Sequence, residues 1–128
     1  MIVLDTHIFL WMNLEQERIP SHILDAIQAE DQLGLAGISL WEVAMLVQYG
    51  RVTIPDDSLI TWFGVALKTA KLRVLPITPA IASRSASLEM HGDPADRLIA
   101  ATAMEHNCRL ATVDSRLLNL ESLPTVIP

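Results

Sequence analysis

The sequence contains a single cysteine, Cys108, among its 128 residues, so no disulfide can form within the chain. A lone cysteine usually serves as a small buried apolar residue, and we expect that role for Cys108. The apolar stretch at the start is interrupted by Asp5 and preceded by no basic residue, which is untypical of a signal peptide. No window is long and apolar enough to cross a bilayer. These absences predict a cytoplasmic protein that is not embedded in a membrane.

Cationic residues are scarce as well. The chain has 9 Lys and Arg against 15 Asp and Glu, which gives a formal net charge of −6. A protein that coats nucleic acid through its general electrostatic field is usually basic, so this balance argues against that role. It does not exclude a nuclease whose acids are neutralised by bound metal. Aromatic residues make up 5% of the chain and hydrophobic residues 51%, so we expect a mainly aliphatic core.

Short apolar runs alternate with segments of helical periodicity along the whole chain. Strands are predicted at residues 1–4, 35–38, 73–77, 109–112 and 125–127. Helices are predicted at residues 6–12, 21–31, 39–50, 59–72, 78–90, 94–105 and 114–120. This alternation predicts an α/β fold, a three-layer sandwich in which helices flank a mostly parallel sheet of about five strands. A chain of this length without internal repeats is expected to form a single domain over residues 1–128.

A carboxylate directly follows the first predicted strand. Asp5 and Thr6 come immediately after the apolar residues 1–4. Because ligands bind at the carboxyl ends of parallel strands, Asp5 lies where a functional site is expected. The alternative is that Asp5 and Thr6 only cap the next helix. Thr112 and Asp114 repeat the arrangement after the fourth strand, where Asp114 has the same capping alternative.

Two further acidic segments begin helices at the same predicted edge of the sheet. Ser39 and Glu42 match the S-x-x-E capping box, so capping is the simpler interpretation of Glu42 taken alone. Asp93 before Pro94 fits an N-cap followed by proline at the first helical position. Asp96 then falls in the first turn, where the helix dipole alone would favour an acid.

Taken together, these acids favour a divalent metal. Carboxylates gathered at one edge of a sheet repel one another unless a cation joins them. Oxygen ligands without clustered Cys or His suit Mg²⁺ or Mn²⁺ better than zinc. The chemistry predicted is metal-assisted hydrolysis of a phosphodiester. Arg97, next to Asp96, is a candidate for contact with substrate phosphate, although a solvated surface charge is the commoner role.

Four segments, in this order, resemble the motifs of PIN-domain proteins and specifically of VapC-type toxins of toxin–antitoxin pairs. They are residues 4–7 (LDTH), 38–44 (ISLWEVA), 91–103 (HGDPADRLIAATA) and 111–114 (ATVD). The resemblance covers essentially the full length, and the third segment is the most specific. It implies a Mg²⁺- or Mn²⁺-dependent endoribonuclease with an RNA substrate, a cognate antitoxin protein and a homodimeric state.

By motif position, the resemblance implies four acids that bind the metal and serve catalysis. They are Asp5, Glu42, Asp96 and Asp114. Asp114 occupies the position that varies most in the family. Thr6, Ser39 and Thr112 are the residues that would hold water or orient the acids, and Asp93 would act mainly as a cap.

Two other functions stay open from the residues. One is a catalytically silent protein-binding module in which the acids are structural caps. The other is a metal-dependent phosphatase with Asp5 as nucleophile, although His7 stands where such an enzyme usually has a second acid. Dinucleotide binding is disfavoured because no G-x-G-x-x-G follows the first strand.

Overall fold

The computed structural model describes residues 1–69, 71–90 and 92–128. Its strands, in chain order, are β1 (Ile2–Leu4), β2 (Leu33–Ala36), β3 (Leu72–Leu75) and β4 (Arg109–Ala111). Its α-helices are α1 (Thr6–Leu14), α2 (Ser21–Gln28), α3 (Gly37–Gln48), α4 (Leu59–Thr69), α5 (Pro79–Ser87), α6 (Pro94–Glu105) and α7 (Ser115–Leu118). None of these helices has the length and apolar character of a membrane span. Ala70 and the motif residue His91 lie outside the described residues.

The strands form one parallel sheet in the order β3-β2-β1-β4. The chain runs outward from β1 through β2 to β3 and later returns to place β4 on the other side of β1. The connections that leave β1 and β4 therefore diverge, and the gap between the carboxyl ends of these strands is the switch point of the sheet. Asp5 and Thr112 are the residues that follow these two strands.

Helices cover both faces of the sheet. Along β1, Ile2 and Leu4 belong to one apolar cluster, which α1 to α4 complete, and Val3 belongs to a second cluster that includes α6 and α7. Because β1 is buried on both faces, its sequence is uniformly apolar and does not alternate. The three-layer α/β architecture with a parallel sheet, predicted from the sequence, is confirmed.

The described residues form one strand fewer than predicted. In place of a fifth strand at residues 125–127, Thr125 makes a single parallel bridge to Leu110. The carbonyl of Pro124 accepts a hydrogen bond from the Leu110 N–H at 2.9 Å. The Val126 N–H donates to the Leu110 carbonyl at 3.0 Å, so the bonds on either side of Thr125 both go to Leu110 and make one bridge.

The second strand lies two residues earlier than predicted. It begins at Leu33 and includes Gly34, which the sequence interpretation places just before the strand. A Cβ atom at Gly34 would lie 2.9 Å from Cδ1 of Leu75 on the neighbouring β3. This glycine therefore permits close packing within the sheet. Since β2 ends earlier, α3 also begins earlier, at Gly37 and not at Ser39.

Candidate metal centre

Asp5 is held at the switch point by hydrogen bonds to both carboxylate oxygens. Oδ1 accepts from the Thr6 N–H at 2.8 Å, and Oδ2 accepts from the Thr112 hydroxyl at 2.7 Å. The first bond confirms Asp5 as the N-cap of α1. The second links the ends of β1 and β4 and has no part in capping. Burial raises the pKa of the Asp5 carboxyl in spite of these two bonds.

Thr6 connects the first acidic segment to the second. Its Oγ1 lies 2.9 Å from Ser39 Oγ and 2.6 Å from Glu42 Oε1. A hydroxyl carries one proton, so Thr6 donates to the Glu42 carboxylate and accepts from Ser39. Thr6 and Ser39 are both buried, and together they fix one oxygen of Glu42.

The capping-box interpretation of Ser39 and Glu42 is wrong. With Ala36 at the N-cap, Ser39 is already the third residue of α3, and Glu42 lies almost a turn further along. Both side chains are hydrogen-bonded to the Thr6 side chain on α1 and do not cap the N-terminus of their own helix. Partial burial raises the pKa of the Glu42 carboxyl. Glu42 is thus an acid held beside other acids, away from any capping role.

Asp93 and Asp96 enter the same region from the start of α6. Oδ1 of Asp93 accepts from the N–H groups of Ala95 and Asp96 at 2.7 and 3.3 Å. This confirms Asp93 as the N-cap, with Pro94 at the first helical position. Burial, together with the charges of Asp93 and Asp5, raises the pKa of Asp96 to about 6.

Three carboxylates have the geometry of a metal site. One oxygen each from Glu42, Asp93 and Asp96 lie within 4.8 Å of one another. A donor set made of carboxylate oxygens fits Mg²⁺ or Mn²⁺. Asp5 and Asp114 line the same cavity, which has a volume of about 300 Å³. The structure therefore brings together all four acids predicted from the motifs and adds Asp93 to them.

Asp114 is held by Arg116, a residue that the sequence interpretation missed. Oδ1 of Asp114 accepts from the Arg116 N–H at 2.9 Å, which confirms its capping role in α7. Arg116 Nη2 lies 3.0 Å from Asp114 Oδ2 and 2.9 Å from Asp96 Oδ2. Hydrogen bonding from Arg116 holds the pKa of Asp114 below its usual range. The position of Arg116, two residues after Asp114 at the same sheet edge, is the feature of the sequence that could have indicated its role.

Arg97 does not line the acid cavity. Its guanidinium donates to the main-chain carbonyls of Ser85, Leu88 and Met90. These bonds tie α6 to the last turn of α5 and to the segment that follows it. The structure thus gives Arg97 a packing role in place of the phosphate contact or solvated charge considered from the sequence.

A larger groove adjoins the acid cavity. Its volume is about 960 Å³, and His7 and Trp11 line both spaces. The guanidinium carbon of Arg18 lies 4.7 Å from the centroid of the Trp11 ring. Arg51, also exposed, lines the groove as well. No motif singled out Trp11, Arg18 or Arg51, because the groove forms from segments distant in sequence.

Comparison with known proteins identifies the family. The sequence model of the PIN domain family matches residues 2–123. The chain is 36% identical over 118 residues to Ribonuclease VapC22 of Mycobacterium tuberculosis (strain ATCC 25618 / H37Rv). That alignment covers 91% of this chain and 88% of the relative.

Solved structures share the fold. VapBC2 from Rickettsia felis, bound to a DNA fragment from their promoter, matches with a TM-score of 0.72 at 18% identity, over 98% of this chain and 97% of that one. A toxin–antitoxin complex from Klebsiella pneumoniae matches with a TM-score of 0.69 at 21% identity, over 99% and 98% of the two chains. At these identities the likeness concerns the fold. Because the family model spans nearly the whole sequence and a relative is 36% identical, the chain belongs to the PIN domain family.

Proposed function

We propose that this protein is an endoribonuclease that depends on Mg²⁺ or Mn²⁺ and acts as the toxin of a toxin–antitoxin pair. The observation that carries the proposal is the convergence of acids from four separate segments in one cavity at the switch point of the sheet. Membership of the PIN domain family and the similarity to Ribonuclease VapC22 support RNA as the substrate. Residues 1–128 would act as a single domain.

The residues that would hold the cation are Glu42, Asp93 and Asp96, with Asp5 and Asp114 beside them. When bound, Mg²⁺ or Mn²⁺ supplies the positive charge that offsets these acids, polarises a phosphodiester and activates water for attack. The carboxylates provide the hard oxygen ligands that such ions prefer.

Threonine hydroxyls orient the acids before any substrate arrives. Thr112 donates to Asp5, and Thr6 donates to Glu42. A carboxylate oxygen that accepts one hydrogen bond keeps a second lone pair, so these bonds leave the acids able to accept a cation or a water proton. Groups that are already oriented need little reorganisation during the reaction.

The groove beside the cavity supports a polynucleotide substrate. Arg51 and Arg18 supply two cations to the groove, although Arg18 is paired with Glu15 at 3.0 Å, and Trp11 supplies an aromatic ring next to Arg18. Cations that follow the backbone and rings on which bases stack are the usual means of holding a single strand. Because Trp11 and His7 also line the acid cavity, a strand lying in the groove would bring a phosphodiester to the acids.

The proposed partners are a cognate antitoxin and a second copy of the chain, and the proposed location is the cytoplasm. The similarity to toxin–antitoxin complexes supports an antitoxin. Exposed apolar residues offer surfaces for both partners, with Tyr49 at the C-cap of α3 71% exposed and Ile60 on α4 84% exposed. Trp62, also on α4, is buried against Phe9 and contributes to the core.

The proposal is tested by incubating total cellular RNA with the purified protein in Mn²⁺ or Mg²⁺ and, separately, in EDTA. We expect discrete fragments with metal and none with EDTA, and saturable Mn²⁺ binding by calorimetry. Folded protein that neither binds metal nor cuts RNA would refute the nuclease and favour a silent binding module. Metal-dependent hydrolysis of a small phosphomonoester without RNA cleavage would favour the phosphatase.

Glu42→Gln is expected to separate metal binding from stability. Glutamine keeps an oxygen that accepts the Thr6 hydroxyl, so the free energy of unfolding should stay within about 1 kcal/mol of the wild type. The loss of the charged oxygen should weaken Mn²⁺ binding at least about tenfold. Glu105→Gln, which removes the same charge from α6 outside the cavity, is the control. Mn²⁺ affinity equal to that of the control would show that Glu42 is not a ligand.

A further inference from the structure

A cation of the chain itself lies among the acids of the cavity. Arg116 Nη2 bridges Asp96 Oδ2 at 2.9 Å and Asp114 Oδ2 at 3.0 Å. Among the described residues that line this cavity, Arg116 is the one Arg or Lys. In the absence of a divalent ion, it is the group that offsets part of the negative charge gathered there.

The bridge joins a buried carboxylate to a half-exposed guanidinium. The side chain of Asp96 is 11% exposed and belongs to the first turn of α6, whereas the Arg116 side chain is 53% exposed. Because the Arg116 side chain is half exposed, water can solvate its guanidinium when it leaves the carboxylates. The Asp96 carboxylate lies among the other acids of the cavity, on a helix that packs against the core.

The start of α6 leaves room for the guanidinium. Gly92 adopts a φ of +154°, and a Cβ atom built there would lie 3.3 Å from Arg116 Nη1 and 3.6 Å from Asp96 Oδ2. The absence of a side chain at this position lets Arg116 lie against the acids. The cavity wall thus accommodates the guanidinium beside the carboxylates that a metal would use.

We propose that Arg116 is an internal counter-ion that a divalent cation must displace from Asp96 and Asp114 in order to bind. The inference rests on the proposed metal site. Arginine and metal compete because both draw on the Asp96 carboxylate, whose Oδ2 lies 2.9 Å from Arg116 Nη2, and because two cations held by one carboxylate repel each other. Arg116 therefore stabilises the metal-free protein and weakens its affinity for metal. If Arg116 merely supported the site, its removal would loosen the ligands and weaken the affinity for metal.

The test compares Mn²⁺ binding by calorimetry in the wild type and in Arg116→Ala. We expect Arg116→Ala to bind Mn²⁺ roughly three- to tenfold more tightly, while its melting temperature in EDTA falls. Arg116→Lys keeps the charge but lacks the planar group that reaches two carboxylates, so its affinity should lie between the other two. Arg84→Ala, which removes an arginine paired with Glu105 outside the cavity, should bind like the wild type.

The outcomes are distinct. Wild-type protein that binds Mn²⁺, with Arg116→Ala equal or weaker, overturns the counter-ion role and leaves the metal site intact. If neither protein binds Mn²⁺, the proposed metal site itself is overturned, and the inference falls with it. If Arg116→Ala is unfolded by circular dichroism, Arg116→Lys decides, because an affinity no tighter than that of the wild type also overturns the inference.

Discussion

Asp5→Asn is expected to reduce metal-dependent RNA cleavage by at least about a hundredfold while the protein stays folded. The Asp5 carboxylate lies at the switch point, where it contributes charge to the cavity that the other acids line. Asparagine has nearly the same shape. Its oxygen still accepts from the Thr6 N–H, and its amide group can donate to Thr112 once that hydroxyl turns.

Removing this charge should not destabilise the metal-free protein. Burial raises the pKa of Asp5, which means that its ionised form is the costly one in the folded state. The measurements are RNA cleavage, Mn²⁺ affinity and urea unfolding of the same samples. Asp25→Asn, which removes an equal charge from an exposed position on α2, is the matched control. A folded Asp5→Asn protein that cleaves RNA as well as Asp25→Asn would refute the proposed role of Asp5.

The metal-free protein is expected to lose stability as the pH rises from about 4 to about 6. Asp96 titrates at about 6 when folded, against an ordinary value of 3.8. Between these values the unfolded chain binds fewer protons at Asp96 than the folded chain does, so stability falls with rising pH and levels off above about 6. The raised pKa values of Asp5 and Glu42 act in the same direction.

The measurement is urea unfolding in EDTA at a series of pH values, for the wild type and for Asp96→Asn. We expect the decline to be smaller in Asp96→Asn, because its amide does not ionise, and this variant to be the more stable protein above pH 6. Saturating Mn²⁺ should raise the stability of the wild type above pH 6 much more than that of the variant. A decline in Asp96→Asn as steep as that of the wild type would contradict the raised pKa of Asp96.

Periodicity and strand-end chemistry were enough to place the four motif acids at one edge of a parallel sheet. The prediction succeeds because β1 and the start of α6 are each specified by residues adjacent in sequence. The apolar run specifies the buried strand, and Asp93 caps the helix that follows it. The hydrophobic run before Asp5 and the Asp-Pro pair at residue 93 specify where their elements begin and end. The order of strands then determines which acids meet.

The arginines could not be placed from the sequence. Arg97 adjoins Asp96 in the chain, yet its guanidinium donates to carbonyls of α5 and of the segment after it. Arg116, in contrast, reaches Asp96 from 20 residues away. A long side chain finds its partner in three dimensions, and sequence proximity says little about it. Ser39 gives a similar lesson, since a local capping match is overridden by Thr6, which lies 33 residues earlier.

The hydrogen bond from Thr112 to Asp5 joins residues that are 107 positions apart. A growing chain that has left the ribosome only as far as α6 already carries Asp5, Glu42 and Asp96, but it has no β4 to place beside β1. Contacts between such distant positions cost more chain entropy to close than local contacts do. A partly synthesised chain therefore holds the acids without the crevice that orients them. The Thr112 hydroxyl that orients Asp5 is present only once the chain through β4 has been made, so β4 completes the proposed site.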